Sequence, residues 1–298
     1  MAALDLNIKN LEFPDNPEDE ETTSGKSFSG ISSLFKSKSK PLRPAASIPK
    51  NYSPNDYLVF RVLREFLQPD SDITLSDAVS RVLEIFLDGY MDLRPINTVC
   101  IELAEQIPYS HPSHMKLARL LHAIGKNRQR AVKSGIKDIP EAIHSFYQDL
   151  QEDLSDSRCS PGDGGAEPMR YVNYQAFFAH LKDVGVWLPG PNGALFAMRG
   201  AFEKSKLSLG EESVAIQEAW ILGAAQWVLW NGQSLFKVLL YPGDQEKQET
   251  GEFELEHWHL WRDGFNEAAA SERFGEECRS VARRAAEIMD ILEKSLSF

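Results

Sequence analysis

The stretch Ala219–Phe236, AWILGAAQWVLWNGQSLF, decides the fold of this chain. It carries no formally charged side chain and contains three of the six tryptophans. The other three lie nearby, at Trp187, Trp258 and Trp261. A run of this kind is a membrane span, the central helix of a buried core, or the wall of a pocket.

The polar residues in and around this stretch argue against a membrane span. A span needs about twenty predominantly apolar residues, and each polar group in hydrocarbon needs a partner. Extending the run in either direction meets Glu218 or Lys237, and the flanks lack a clear basic bias. We therefore predict a helix buried on nearly all sides, in which Gln226 and Asn231 must find hydrogen-bond partners.

Most of the remaining chain also has helical patterns. Thr74 can cap a helix whose apolar residues recur on one face, and the pattern Ser53-Pro54 opens an earlier one. Alternating strand patterns are nearly absent. We predict an all-α fold, a single irregular domain of about nine or ten helices stacked as helical hairpins. The later helices are expected at Tyr171–Val184, Gly193–Lys204, Glu211–Leu240, Glu254–Ala270 and Phe274–Leu296, after one that opens at Pro140.

The chain divides by composition into a tail and a helical domain. Residues 1–50 combine an acidic block, a serine-rich segment and a basic run, so we expect a disordered, charged tail. The basic run Lys36–Arg43 is either a nuclear-import or phospho-regulated signal or a solvated linker. We expect residues 51–298 to form the helical domain, with 151–169 as a long loop that could separate two subdomains.

Charge and cysteine content limit the partners and the compartment. The formal net charge is −12, which disfavours nucleic acid and an anionic membrane surface as partners. The three cysteines, Cys100, Cys159 and Cys278, lack a CxxC spacing, and the chain opens without a secretory signal pattern. We therefore expect a reducing compartment, the cytoplasm or the nucleus.

Motifs for catalysis or metal binding are not recognisable. His257 and His259 are two residues apart and would point in different directions on a helix. His111 and His114 have a more favourable spacing, but a helix start with local capping and surface exposure explains them equally well. Phosphate-binding, dinucleotide-binding and nucleophile-elbow patterns are also missing. We predict no catalytic residue, no metal site and no cofactor.

A tryptophan-lined pocket is the most specific candidate site. Several indoles, two amides and a WRDGF turn could form an apolar cavity with a few polar groups. The alternative is that the large aromatic side chains simply fill the core. The candidate ligand-binding residues are Trp227, Trp230, Asn231, Gln226, Trp258 and Arg262.

Four strings together resemble a known family. IPYSHPSHMKLARLLHAIG, EAWILGAAQWVLWNGQSLF, WHLWRDGF and ECRSVARRAAEIMDILEK are similar to a family of all-helical proteins of unknown function from filamentous ascomycete fungi. The resemblance covers roughly Ser53 to Leu296. It implies a fungal source and a helical intracellular protein, and it brings no catalytic residues.

Three hypotheses about function follow. The leading one is a soluble, non-enzymatic helical protein that serves as an interaction scaffold and has a protein partner. The second is a small-molecule binding protein, or an enzyme without a known motif, that uses the tryptophan-lined pocket. The third is a nuclear regulatory protein that depends on Lys36–Arg43.

Overall fold

A computed structural model of the chain describes residues 2–8, 54–86, 94–133, 150, 160–186, 191–203, 212–240 and 254–296. These residues contain nine α-helices and no β-strand, which confirms the predicted all-α class. The helix expected from Pro140, the basic run Lys36–Arg43 and residues 151–159 of the long loop lie outside the described residues. The helices are α1 Pro54–Phe66, α2 Leu75–Glu84, α3 Arg94–Ala104, α4 Ser113–Lys133, α5 Pro168–Asp183, α6 Asn192–Phe202, α7 Val214–Leu240, α8 Leu255–Ala270 and α9 Glu276–Leu296.

Helix α7 is the central helix of the core, as the sequence predicts. It packs against α5, α6, α8 and α9, and every residue from Ala219 to Val228 is buried. A segment that is apolar around its whole circumference needs neighbours on all sides, and these four helices supply them. None of the helices in the described ranges is long and apolar enough to cross a membrane.

The helices before the long loop form a second group that joins the first. Helices α1 to α4 pack among themselves, and α4 and α3 then contact α5. The buried apolar residues of both groups belong to one continuous cluster. At the start of α2, the Thr74 side chain accepts a hydrogen bond from the Asp77 amide at 3.2 Å, so the predicted cap is confirmed.

Glycines allow the helices to approach closely around α7. A Cβ atom at Gly223 would lie 2.6 Å from Cε1 of Tyr171 on α5. A Cβ atom at Gly200, on α6, would lie 2.1 Å from Cζ3 of Trp220. Both separations are far below van der Waals contact, so a side chain at either position would require the neighbouring aromatic ring to move. Glycine at these two positions therefore permits the close approach of α5 and α6 to α7.

Candidate functional site

The segment Ala2–Ile8, called the arm below, packs onto the helices although its composition resembles that of the tail. Leu6 and Ile8 are completely or almost completely buried, Leu4 is half-buried, and Asp5 and Asn7 are exposed. Burial at every second residue is the pattern of an extended chain with one face against a core. The arm therefore lies on the surface of the helical domain as a bound peptide would.

Two glutamine side chains hold the backbone of the arm. Gln68 accepts a hydrogen bond from the Leu4 amide at 2.9 Å, and its Nε2 donates to the Leu4 carbonyl at 3.0 Å. Gln106 does the same to Asn7, with its Oε1 2.9 Å from the amide nitrogen and its Nε2 2.6 Å from the carbonyl oxygen. A primary amide offers the donor and acceptor that a neighbouring strand would offer. We call this pair the glutamine clasps.

The chain places both clasps by the same local device. Gln68 lies two residues after the end of α1, and Gln106 two residues after the end of α3. Each Nε2 also donates to a carbonyl in the last turn of its own helix, Gln68 to Arg64 at 3.2 Å and Gln106 to Glu102 at 2.9 Å. The carbonyls in the last turn of an α-helix extend beyond its regular hydrogen-bond ladder, so side chains commonly donate to them. The helix ends thereby fix the clasp side chains. We call the surface between Gln68 and Gln106, on which the arm lies, the arm groove.

An acidic cleft of about 790 Å³ adjoins the arm groove. The arm contributes Asp5, Asn7 and Ile8 to its lining. Among the residues that the structure describes, the charged lining consists of five carboxylates and one cation. The cation, Arg170, is already bonded to the carboxylate of Glu105. The described part of the lining therefore has an excess of negative charge, and its charged residues are Asp5, Glu102, Glu105, Glu167, Glu277 and Arg170.

The floor of the cleft joins the two groups of helices. Asn173, on α5, accepts a hydrogen bond from the Tyr109 amide at 2.8 Å and donates to the Glu105 carbonyl at 2.9 Å. The Tyr109 hydroxyl donates to Oε1 of Glu277, at the start of α9, at 2.5 Å. Burial raises the pKa of Tyr109, and the hydrogen bond and the negative charge of Glu277 raise it further. Tyr109 therefore stays protonated and acts as a donor.

Three of the sequence-predicted ligand residues bond to the protein itself. Nε1 of Trp227 donates to Oε1 of Gln175 at 2.8 Å, and Nδ2 of Asn231 donates to the Ala179 carbonyl at 2.7 Å. Nε2 of Gln226 donates to the Leu222 carbonyl of its own helix at 3.2 Å. Helix α5 thus supplies the partners of Trp227 and Asn231, and α7 itself supplies that of Gln226.

The other three lie in different surroundings. Trp230 is exposed by 42% and lies over His180, with 4.1 Å between the ring centroids. Trp258 is buried, and its indole N–H has no hydrogen-bond partner. Arg262 forms ion pairs with Asp263, Asp290 and Glu293. These side chains do not line the acidic cleft, and ligand binding by all six residues stays a prediction.

Two histidines, His114 and His180, are buried, which the sequence does not predict. His114 is completely buried, so the expectation that its segment is surface-exposed is wrong at this residue. Its Nε2 donates to the Ile107 carbonyl at 2.8 Å, and its ring stacks at 6.1 Å from the ring of His180. Burial lowers the pKa of His114 to about 3 and that of His180 to about 4. Within the described ranges, no cluster of three or more His, Cys, Asp or Glu residues could hold a metal ion.

The arm groove and the cleft define the class of this protein as an all-α protein that holds an extended segment by its backbone. The chain matches the family model described as protein of unknown function (DUF3632) over residues 98–265, which is more than half of its 298 residues. The chain therefore belongs to that family. The matched region includes Gln106 and Asn173 but not the arm or Gln68. No curated protein and no solved structure is significantly similar to the chain.

Proposed function

We propose that this protein is a non-enzymatic interaction protein whose arm groove binds an extended segment of a partner protein. The observation that carries the proposal is the pair of glutamine clasps, each of which bonds to both the amide and the carbonyl of one arm residue. Recognition of the backbone provides affinity, and the burial of alternate side chains provides specificity. This mode of recognition needs no catalytic group, in agreement with the predicted scaffold function.

The energetics of the arm favour exchange over permanent attachment. Burying Leu6 and Ile8 contributes about 1.5–3 kcal/mol each. The four clasp hydrogen bonds contribute about 1 kcal/mol each. Ordering the backbone of the arm costs about 1–2 kcal/mol per residue. Because the gains and the cost are comparable, a segment from another protein can compete with the arm for the groove.

Binding of the arm in trans tests this function. A chain without residues 1–8 is titrated with a labelled, end-blocked peptide of sequence AALDLNI, and fluorescence anisotropy is measured. We expect saturable binding that Gln106→Glu weakens by roughly tenfold or more, because the new carboxylate faces the Asn7 carbonyl and donates nothing. Gln233→Glu, the same change at an exposed position of α7, should leave the affinity unchanged.

A peptide of the same composition serves as the register control. The sequence AALLDNI exchanges the residues at positions 5 and 6 and so breaks the alternation, and it should bind much more weakly. If the shortened chain does not fold, a protease site within residues 20–30 of the full chain allows cleavage after folding, and release of the labelled arm is measured instead. An arm that neither rebinds nor exchanges with added peptide would disprove the proposal.

A tryptophan-lined ligand site remains the alternative function. The observation in its favour is the buried indole N–H of Trp258, which has no acceptor in the protein and could donate to a ligand. Quenching of tryptophan fluorescence by an apolar metabolite, lost in Trp258→Phe, would support this site. Quenching that the variant retains would count against it.

The compartment and source also stay predictions. Location in the cytoplasm or nucleus of a fungal cell is supported by the resemblance and by Cys100 and Cys278, which are buried and free. A role of Lys36–Arg43 in nuclear import is tested by deleting that run in a tagged chain and comparing its distribution with that of the intact chain.

A further inference from the structure

The exposed face of the arm lies against negative charge. While the buried face of the arm carries its apolar side chains, Asp5 and Asn7 line the acidic cleft. Four further carboxylates line the same cleft, and the arm itself contains no lysine or arginine. The arm therefore fits the groove through its backbone and its apolar residues but not through its charge.

Asp5 is the one charged residue of the arm, and its charge has the same sign as the excess charge of the described cleft lining. It adds a negative charge to a cleft in which the one cation among the described lining residues, Arg170, is already bonded to Glu105. Like charges within one cleft repel each other, and complementary charge increases both the affinity and the rate of association. A lysine or arginine at the position of Asp5 would turn this repulsion into attraction while the backbone and apolar contacts stay the same.

We propose that the partner segment that replaces the arm is an extended peptide with apolar residues at alternate positions and a lysine or arginine at the position of Asp5. This inference rests on the proposed function of the arm groove and adds the chemistry of the partner. The arm belongs to the same chain as the groove, so its binding is intramolecular, which favours it over a free segment. A partner must bind better than the arm to displace it, and the basic residue provides that advantage.

Three peptides test the inference on the chain that lacks residues 1–8. They are the arm sequence, the same peptide with Asp5→Lys, and a control with Ala3→Lys and Asp5→Asn. The last two have equal net charge, but Ala3 does not line the cleft. We expect the Asp5→Lys peptide to bind roughly three- to tenfold more tightly than the control at low ionic strength. The difference should shrink at about 1 M salt.

The outcomes separate this inference from the proposed function. If the arm peptide binds but Asp5→Lys gives no advantage over the control, the inference is wrong and the groove remains a peptide site. If no peptide binds, both fail. A concentration-dependent dimer that disappears when the arm is removed would also overturn the inference, because the occupant would then be the arm of a second copy, which lacks the basic residue.

A measurement on the full chain covers the case in which the shortened chain does not fold. The variant Asp5→Lys is compared with the double variant Ala3→Lys, Asp5→Asn by amide hydrogen exchange. The Asn7 amide, which donates to Gln106, should exchange roughly three- to tenfold more slowly in Asp5→Lys. Equal exchange rates would overturn the inference without any added peptide.

Discussion

Gly200 shows how one missing side chain determines a contact between helices. Its position is filled by the ring of Trp220, which also packs edge-on to Tyr171 with 4.9 Å between the ring centroids. The ring cannot move away from a new methyl group without disturbing α5. The identity of this residue therefore matters more than the usual helix propensity, which favours alanine over glycine by about 1 kcal/mol.

We predict that Gly200→Ala lowers the free energy of unfolding by about 1–3 kcal/mol, because the methyl group overpacks the contact with Trp220. Gly232→Ala is the matched control. There the nearest atom to a new Cβ is the terminal Cδ1 of Leu292 at 3.0 Å, which can rotate away, so we expect little change. Urea unfolding of both variants measures the difference, and an equal effect of the two substitutions would contradict the prediction.

For the buried amides of Asn231 and Gln226, the sequence predicts the need for a hydrogen-bond partner but not which group that partner is. The rule that buried polar groups are bonded correctly predicts that Asn231 and Gln226 need partners. It does not predict that the partner of Asn231 is the carbonyl of Ala179, fifty-two positions earlier in the chain. That pairing depends on the side-by-side packing of α5 and α7, which local patterns do not encode.

At the scale of elements, helices are predictable to the extent that their signals are local. Helix α8 is expected at Glu254–Ala270 and found at Leu255–Ala270, because a cap and a continuous apolar face lie within one short stretch. The sequence does not predict the packed arm, although the apolar residues Leu4, Leu6 and Ile8 alternate with polar ones. Five alternating residues ahead of an acidic block look like the rest of the tail. The sequence does not predict the arm groove either, because its two clasps lie at the ends of two different helices.

The contact between α4 and α5 should weaken in acid. Burial lowers the pKa of His114 to about 3 and that of His180 to about 4, whereas both have values near 6.5 when unfolded. Between pH 6.5 and about 4, the unfolded chain therefore binds more protons than the folded chain. Stability falls as the pH decreases through this window, by at most about 1.4 kcal/mol per pH unit for each histidine.

We predict that His180→Gln makes the free energy of unfolding less dependent on pH between 6.5 and 4. Urea unfolding at several pH values gives the two curves. A constant offset between wild type and variant at neutral pH reflects lost packing against Trp230 and is not part of the prediction. Parallel curves throughout the window would show that His180 does not contribute.

At the scale of the whole molecule, the two groups of helices share one core. Helices α1–α4 and α5–α9 contribute to a single apolar cluster, and Asn173 bonds across their boundary to Tyr109 and Glu105. The sequence predicts helices on both sides of residues 151–169 but leaves open whether this loop separates two units. The long-range contacts that decide this question, such as those of α4 with α5, have no local signal.

We predict that α1–α9 unfold in one cooperative transition. All six tryptophans lie at position 187 or later, so tryptophan fluorescence reports on α5–α9, whereas far-UV circular dichroism reports on all helices. The two urea curves should superimpose, because a continuous core couples both groups. Asn173→Ala removes two hydrogen bonds across the boundary and should lower the free energy of unfolding by about 2 kcal/mol. Both curves should therefore move together to a lower urea concentration. Separate midpoints, or a shift of only one curve, would instead place a subdomain boundary within residues 151–169.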